Sequence, residues 1–312
     1  MGLCQGQTCG PPIEAILQRD LGDAFRPDER PMRWSLARYE TLGEELGEAT
    51  GFRRCGSWLV AASEEEWEAL GRSTEERRAA GLSVSRRGGE EVREAEPALG
   101  EAVVGGGFCE TDGQIHPWRT ALAFAHAAKR LGARLELGVE ATGVEVQQGR
   151  AVGVATAAGV VEGGAMLLAA GAWTARLCEG LGVELGLGPR RGEILVTEPM
   201  PPLLSSVIVH APYVSSKLGR HGEQAATMVL EQTEDGNVLM GSTREFAGLR
   251  PCSGDGLPLV GPVAEVEWLF VATGHEGDGV ALAPVTGEIV AEGLLEGEWR
   301  RELLPRVAVA AD

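Results

Sequence analysis

Apolar positions along the chain recur with two different periods. Between residues 33 and 47, Trp34, Leu36, Tyr39, Leu42 and Leu46 return every two to four residues, the stripe of a helix that buries one face. "GFRRCGSWLVAAS" (51–63) reads as a hairpin or strand pair. Ser63 with Glu66 three residues on is a capping box at the head of the acidic helix "EEEWEALGRSTEERRAAG". "HPWRTALAFAHAAKRLGAR" (116–134) predicts an Ala-rich helix ending near Gly132. The stretch after it, 134–173, predicts a strand, a hairpin with Gly-containing turns, and the buried strand "AMLLAAG". From "GPRRGEILVTEP" to "GNVLMGSTREF" the apolar and polar residues alternate, which predicts a second, antiparallel sheet with a hairpin turn at "EDGN" (234–237). The chain closes on the strand "WLFVATG", the loop "HEGDG" and the helix "VALAPVTGEIVAEGLLEG". Ahead of all this, "PPIEAILQRDLG" reads as one short helix and "DAFRPDERP" as a linker.

Composition narrows the function classes. The 312 residues hold 28 Lys+Arg against 46 Asp+Glu, a net charge of −18 that repels phosphate backbones and anionic membrane surfaces. Nucleic acid is therefore excluded as a partner. No apolar run approaches the ~20 residues of a membrane span, and no basic-then-apolar leader opens the chain. Six scattered cysteines do not form a disulfide framework, so the expected compartment is the cytoplasm. Glycine, at 45 residues, is about twice its usual share of roughly 7%.

Chemistry can sit in few places. The strand before "GHEGDG" (274–279) runs into a helix start, which aims backbone N–H groups and a positive helix end at one spot. Such a nest suits a phosphate, a carboxylate or the electron-rich edge of a flavin; the alternative is a plain Gly-rich turn. Arg250 in "GLRPCSGDGLPLVGP" offers a planar fork that matches a carboxylate, or it is a surface residue at a sheet edge. Gly171 ends a buried strand, and Trp173 follows in a turn into a helix, allowing close approach of a cofactor or only tight packing. "VVGGGFCETDG" (103–113) imitates a dinucleotide loop but has Glu110 where the third glycine belongs. The five histidines show no metal spacing. Cys4 and Cys9 in "MGLCQGQTCGPP" have four residues between them.

"DGQIHPWRTALAFAHAAKRLGARL", "MLLAAGAWT", "RRGEILVTEP", "GNVLMGSTREFAG" and the block from "GLRPCSGDG" to "GHEGDGVALAPVTGEIVAEGL" resemble the D-amino-acid-oxidase-type FAD-dependent oxidoreductases. The nearest flavour is the flavin subunit of bacterial amino-acid, opine and cyanide-forming dehydrogenases. The resemblance implies an α/β (α+β) fold in which an incomplete FAD-binding Rossmann-like domain is interleaved with an antiparallel-sheet substrate domain over residues 23–312. Segments 103–180 and 250–300 would lie mainly on the cofactor side, and 48–100 and 189–248 mainly on the substrate side. It implies FAD as cofactor and a hydride leaving the C–N unit of a small amino acid or N-substituted amino acid. Arg250 would hold the substrate carboxylate and Tyr213 would line the substrate side. Gly274, His275, Glu276, Gly277, Asp278, Gly279 and Val280 would cradle the flavin, with Val139, Gly171 and Trp173 along its ADP portion.

Two departures accompany the resemblance. The family's N-terminal strand–GxGxxG–helix is absent from these residues, and the chain passes from Gly248 directly to Leu249-Arg250-Pro251 without the usual helical insert. Residues 1–22 are instead similar to the tail of a bacterioferritin-associated-ferredoxin-like [2Fe–2S] domain, with Cys4 and Cys9 as half a ligand set. This chain alone is not expected to assemble a cluster. Partner subunits of a multi-subunit dehydrogenase are implied. The alternative is a cofactor-deficient, truncated or fused remnant serving as a non-catalytic subunit, or an iron–sulfur electron-transfer subunit.

Overall fold

The computed structural model describes residues 2–3, 31–79, 83–211, 228–241, 245–254 and 256–299. Cys4, Cys9, Tyr213, the helix expected at 11–22 and the linker after it lie outside the described residues. In chain order the helices are α1 (Pro31–Leu46), α2 (Glu64–Ala79), α3 (Gly89–Ala95), α4 (Pro117–Arg130), α5 (Thr174–Glu179) and α6 (Gly279–Glu296). The longer strands are β1 (Ser57–Ala61), β2 (Val84–Gly88), β3 (Gly105–Cys109), β4 (Ala141–Gln147), β5 (Arg150–Thr156), β6 (Gly159–Glu162), β7 (Met166–Leu168) and β8 (Leu187–Arg191). They continue with β9 (Ile194–Val196), β10 (Val207–His210), β11 (Val229–Gln232), β12 (Val238–Gly241), β13 (Glu245–Ser253), β14 (Leu259–Pro262) and β15 (Leu269–Thr273).

Two compact units alternate along the chain. The first takes Arg26–Leu131 and Gly192–Glu245. Its seven-stranded sheet runs β9-β12-β11-β10-β1-β3-β2. Every neighbouring pair is antiparallel except β1 with β10, which run parallel with Ser57 opposite Val207. All five residues of β1 are buried, as a strand covered on both faces requires. Trp58, Ile208 and Val238 pack on one side of the sheet, and Leu59, Leu70 and Val209 on the other. Burying each such side chain contributes about 1.5–3 kcal/mol.

Helix ends in this unit follow their caps. Ser63 Oγ accepts from Glu66 N–H at 3.2 Å, while the Glu66 carboxylate turns back to Ala62 N–H at 2.7 Å, one residue short of the reciprocal box. His116 caps α4, its Nδ1 accepting from Arg119 N–H, with Pro117 at the first helical position.

The expected strand pair at 51–63 is a correction: only β1 forms there, because its two edges are taken by β3 and β10, and Arg53 makes a lone bridge to Gln114. "VGGGFC" becomes β3, between β1 and β2. The glycines there serve packing, since a Cβ on Gly105 would meet the Trp67 ring at 2.5 Å and one on Gly106 the Trp58 ring at 3.0 Å.

The second unit takes Gly132–Arg191 and Phe246–Asp312, so residues 103–131 cluster with the first unit. It holds the antiparallel meander β4-β5-β6, the three-stranded sheet β14-β15-β7, and β8 paired with β13. β15 is antiparallel to β14 and parallel to β7, with Leu269 opposite Met166. Leu259, Val271, Leu168, Val183 and Cys178 pack as one core. The strand expected at the start of 134–173 is also corrected. Residues 132–140 form no strand, and Leu135, Leu137 and Val139 are exposed. A strand needs a partner for its backbone groups, and no described residue pairs with this one.

Candidate functional site

In the second unit the two parallel strands end side by side, and each runs directly into a turn and a helix. The carboxyl ends of parallel strands are where α/β sheets hold ligands, because loops and helix N-termini converge there. After β7 the chain makes a single 3₁₀ turn, Gly171–Trp173, before α5; after β15 it passes through Gly274–Asp278 into α6. Thr273 Oγ1 donates to the Gly171 carbonyl at 2.9 Å and ties the two turns together.

The turn after β15 is fixed by its backbone. Gly274 has φ +76, and a Cβ there would lie 3.2 Å from the Leu259 amide nitrogen. Glu276 is also left-handed, at φ +46, a conformation that costs a side-chain-bearing residue roughly 1–2 kcal/mol. Three contacts hold it there. Glu276 N–H donates to the Pro251 carbonyl at 3.0 Å, Cys252 and His275 form a lone antiparallel bridge, and the Glu276 carboxylate pairs with the Arg190 guanidinium of β8. Asp278 N–H donates to the His275 carbonyl at 2.8 Å and closes the turn into α6.

His275 Nε2 meets Thr286 Oγ1 at 2.9 Å. Burial pushes the pKa of the ring down to about 4 despite the opposing Asp278 carboxylate, so the ring is neutral near pH 7. The loop thus presents a neutral imidazole and a mutually compensated ion pair. The start of α6, with Asp278 at its N-cap, adds the positive end of a helix dipole at this spot.

A flavin dinucleotide fits these residues on two observations. Thr174 Oγ1 is fully buried at the start of α5 with no hydrogen-bond partner among the described residues, and a buried hydroxyl calls for one. Gly171, at φ +56, faces open space where a Cβ would stand, so a ligand can approach its backbone.

Of the residues expected at the cofactor, the structure brings together Gly171, Gly274, His275 and Glu276, and links the loop to the strand that carries Arg250. Arg250 is half-buried in β13. Trp173 is exposed, and Val139 lies in the irregular stretch before β4. Arg190, Thr174, Thr273 and Thr286 were not foreseen. For Arg190 the signal was available, as one of a charged pair, Arg190-Arg191, that closes the strand "LGPRR".

The first unit contains a separate cavity of about 300 Å³, lined by His116, Pro117, Val196, Thr233, Asn237 and Leu239 among others. At the β11–β12 turn, Glu234 and Asp235 face the Arg119 guanidinium at 3.6 and 3.5 Å. Among the described residues no group of three or more His, Cys, Asp or Glu side chains is placed to hold a metal ion. No described helix is long and apolar enough to cross a membrane.

The family described as FAD dependent oxidoreductase matches residues 21–246 and 223–293. The chain belongs to that family. FAD is accordingly its cofactor, in agreement with the fit at the ends of β7 and β15. Among relatives of this oxidoreductase, the glycine oxidase of Geobacillus kaustophilus is 32% identical over 298 residues, 87% of this chain and 78% of that protein. The hydrogen cyanide synthase subunit HcnC of Pseudomonas aeruginosa is 34% identical over 228 residues, 64% of this chain and 54% of that protein. The chain thus spans about half the length of HcnC. The solved structure of the Geobacillus enzyme superposes with a TM-score of 0.78 at 27% identity, covering 89% of this chain and 82% of that one. An L-proline dehydrogenase structure from P. horikoshii, at 21% identity and a TM-score of 0.73, shares the fold.

Proposed function

We propose that this FAD-dependent oxidoreductase oxidises the C–N bond of a small amino acid or N-substituted amino acid, giving an imine that water hydrolyses. The observation that carries the reading is the tie between the Gly274–Gly279 loop and the Arg250 strand, through the Pro251 carbonyl and the Cys252–His275 bridge. FAD, when bound, supplies the acceptor for the hydride that leaves the α-carbon. The chain's own groups orient and stabilise. Arg250 takes the substrate carboxylate in two parallel hydrogen bonds. Within residues 274–280 the Glu276 and Asp278 N–H groups are taken by the Pro251 and His275 carbonyls, so the remaining peptide N–H groups and the positive end of α6 would be what stabilises negative charge on the cofactor. Gly171 admits the ADP portion and Thr174 Oγ1 supplies it a hydrogen bond, with Trp173 and Val139 alongside. A substrate amine that has released its ammonium proton to water needs mainly orientation for hydride transfer, so no general base is assigned.

The relatives support the substrate class: two carry the names glycine oxidase and hydrogen cyanide synthase subunit. The second name also supports a setting with partner subunits. Segments 48–100 and 189–248 are assigned to the substrate side, and 103–180 with 250–300 to the cofactor side, residues 132–180 being the part that clusters with 250–300. The test is titration of the purified chain with FAD, followed by anaerobic addition of glycine, N-methylglycine, D-alanine and L-proline in turn. Flavin fluorescence should be quenched on binding, and the oxidised flavin absorbance should bleach with at least one substrate. A chain that takes up no FAD, alone or with partner subunits, would be the non-catalytic remnant. One that binds FAD but is bleached by none of the amines acts on other chemistry.

A further inference from the structure

We propose that Arg190 and Glu276 act as a pair of positioning residues that set the cofactor loop and the Arg250 strand in one register. The proposal rests on the FAD-dependent reading above. Glu276 stands in left-handed backbone, where glycine or asparagine would be the easy choice. From that backbone position its side chain reaches the Arg190 guanidinium. Both side chains are largely shielded, at 25% and 16% exposure. A shielded ion pair adds little net stability over apolar packing, while it fixes the geometry of the groups it joins. Its effect is therefore to select one arrangement of the loop over others.

The arrangement selected joins three parts. Arg190 lies in β8, which pairs with β13, the strand of Arg250 and Pro251. Glu276 returns to the same strand through its N–H on the Pro251 carbonyl. The residue next to the proposed carboxylate anchor thus accepts a hydrogen bond from the residue that the ion pair holds in place. A shift of Glu276 moves the loop amides and the Arg250 backbone together.

The experiment uses the full chain, FAD titrated by quenching of flavin fluorescence, and the visible flavin spectrum. The variants are Glu276→Gln, Arg190→Gln, the double variant, and the exchange Arg190→Glu with Glu276→Arg. Each single substitution should weaken FAD binding about tenfold and shift the flavin absorbance band. The double variant should be no worse than either single, and the exchange should recover most of the affinity, which a general loss of stability would not do. Singles that bind FAD within twofold of the unchanged chain, with an unchanged spectrum, overturn the proposal, as does a double variant that sums the two losses. If Glu276→Gln does not fold, Glu276→Gly decides, because it relieves the left-handed backbone while deleting the carboxylate. Weaker FAD binding at an undiminished melting temperature supports the pair, and unchanged binding overturns it. Failure of the unchanged chain to take up FAD removes the underlying reading instead, so the two failures are distinct.

Discussion

Two glycine-rich segments, residues 105–107 and 274–279, have similar composition and opposite purposes. In β3 the glycines occupy extended backbone, and the space beside them is filled by the rings of Trp67 and Trp58. In the loop after β15, Gly274 and Glu276 lie at positive φ, and the chain turns to present peptide groups at the end of a parallel strand. Glycine removes a side chain in both. In the first case the vacated volume goes to indoles, and in the second to a change of chain direction. Glycine content therefore says little about ligands until the occupant of the vacated space is known.

The comparison can be broken most forcefully at β3. Gly105→Val should lower stability by about 3 kcal/mol or more, because the new side chain collides with Trp67 in a strand paired on both edges. Urea denaturation would register this as a fall in midpoint. If the same denaturation leaves the midpoint unmoved, the packing account of the triple glycine is wrong. Gly274→Ala should lower stability by about 1–2 kcal/mol through its left-handed backbone and the close Leu259 amide, and should also weaken FAD binding, which Gly105→Val should not do in the fraction that remains folded.

The third prediction concerns His275 and pH. Its pKa in the folded chain lies near 4, below an unfolded value near 6.5. Between these values the unfolded chain binds a proton that the folded chain refuses. Stability is therefore full above about pH 6.5 and falls as the pH drops toward 4, by on the order of 2–3 kcal/mol. In thermal melts across that range, His275→Gln should flatten this part of the slope, and an unaltered slope would assign it to other groups. The smallest effect belongs to Gly254→Ala, whose added methyl meets nothing within 4 Å and whose backbone is not left-handed. Its midpoint should stay within about 0.5 kcal/mol of the parent.

Elements with local causes were legible in the sequence. The stripe from Trp34 to Leu46 became α1, Pro117 and the alanines became α4, and the "EDGN" turn closed as expected, with Gly236 N–H on the Thr233 carbonyl at 3.0 Å. What failed depended on distant partners. Residues 134–139 have strand composition but no described neighbour to pair with, and 51–56 has apolar residues whose strand partners are taken by β1. The reason for Gly105 and Gly106 lay in Trp67 and Trp58, on other elements. At the site, the Gly-rich loop could be located from spacing, whereas the Arg190–Glu276 pair spans 86 residues and is visible only in three dimensions.

The parallel pairings also bear on how the chain is made. β1 waits for β10, about 150 residues later, and β7 waits for β15, about 100 residues later. During synthesis, the first unit cannot close its sheet until most of the second unit's opening half has already emerged, and the second cannot close until Leu269–Thr273 is out. Such long-range closure is slow, and the emerging polypeptide carries two half-built sheets with bare edges at once. A free fragment ending between residues 241 and 259 should therefore contain every strand of the seven-stranded sheet and lack the partner of β7, which makes that interval the natural place to separate the folding of one unit from the other.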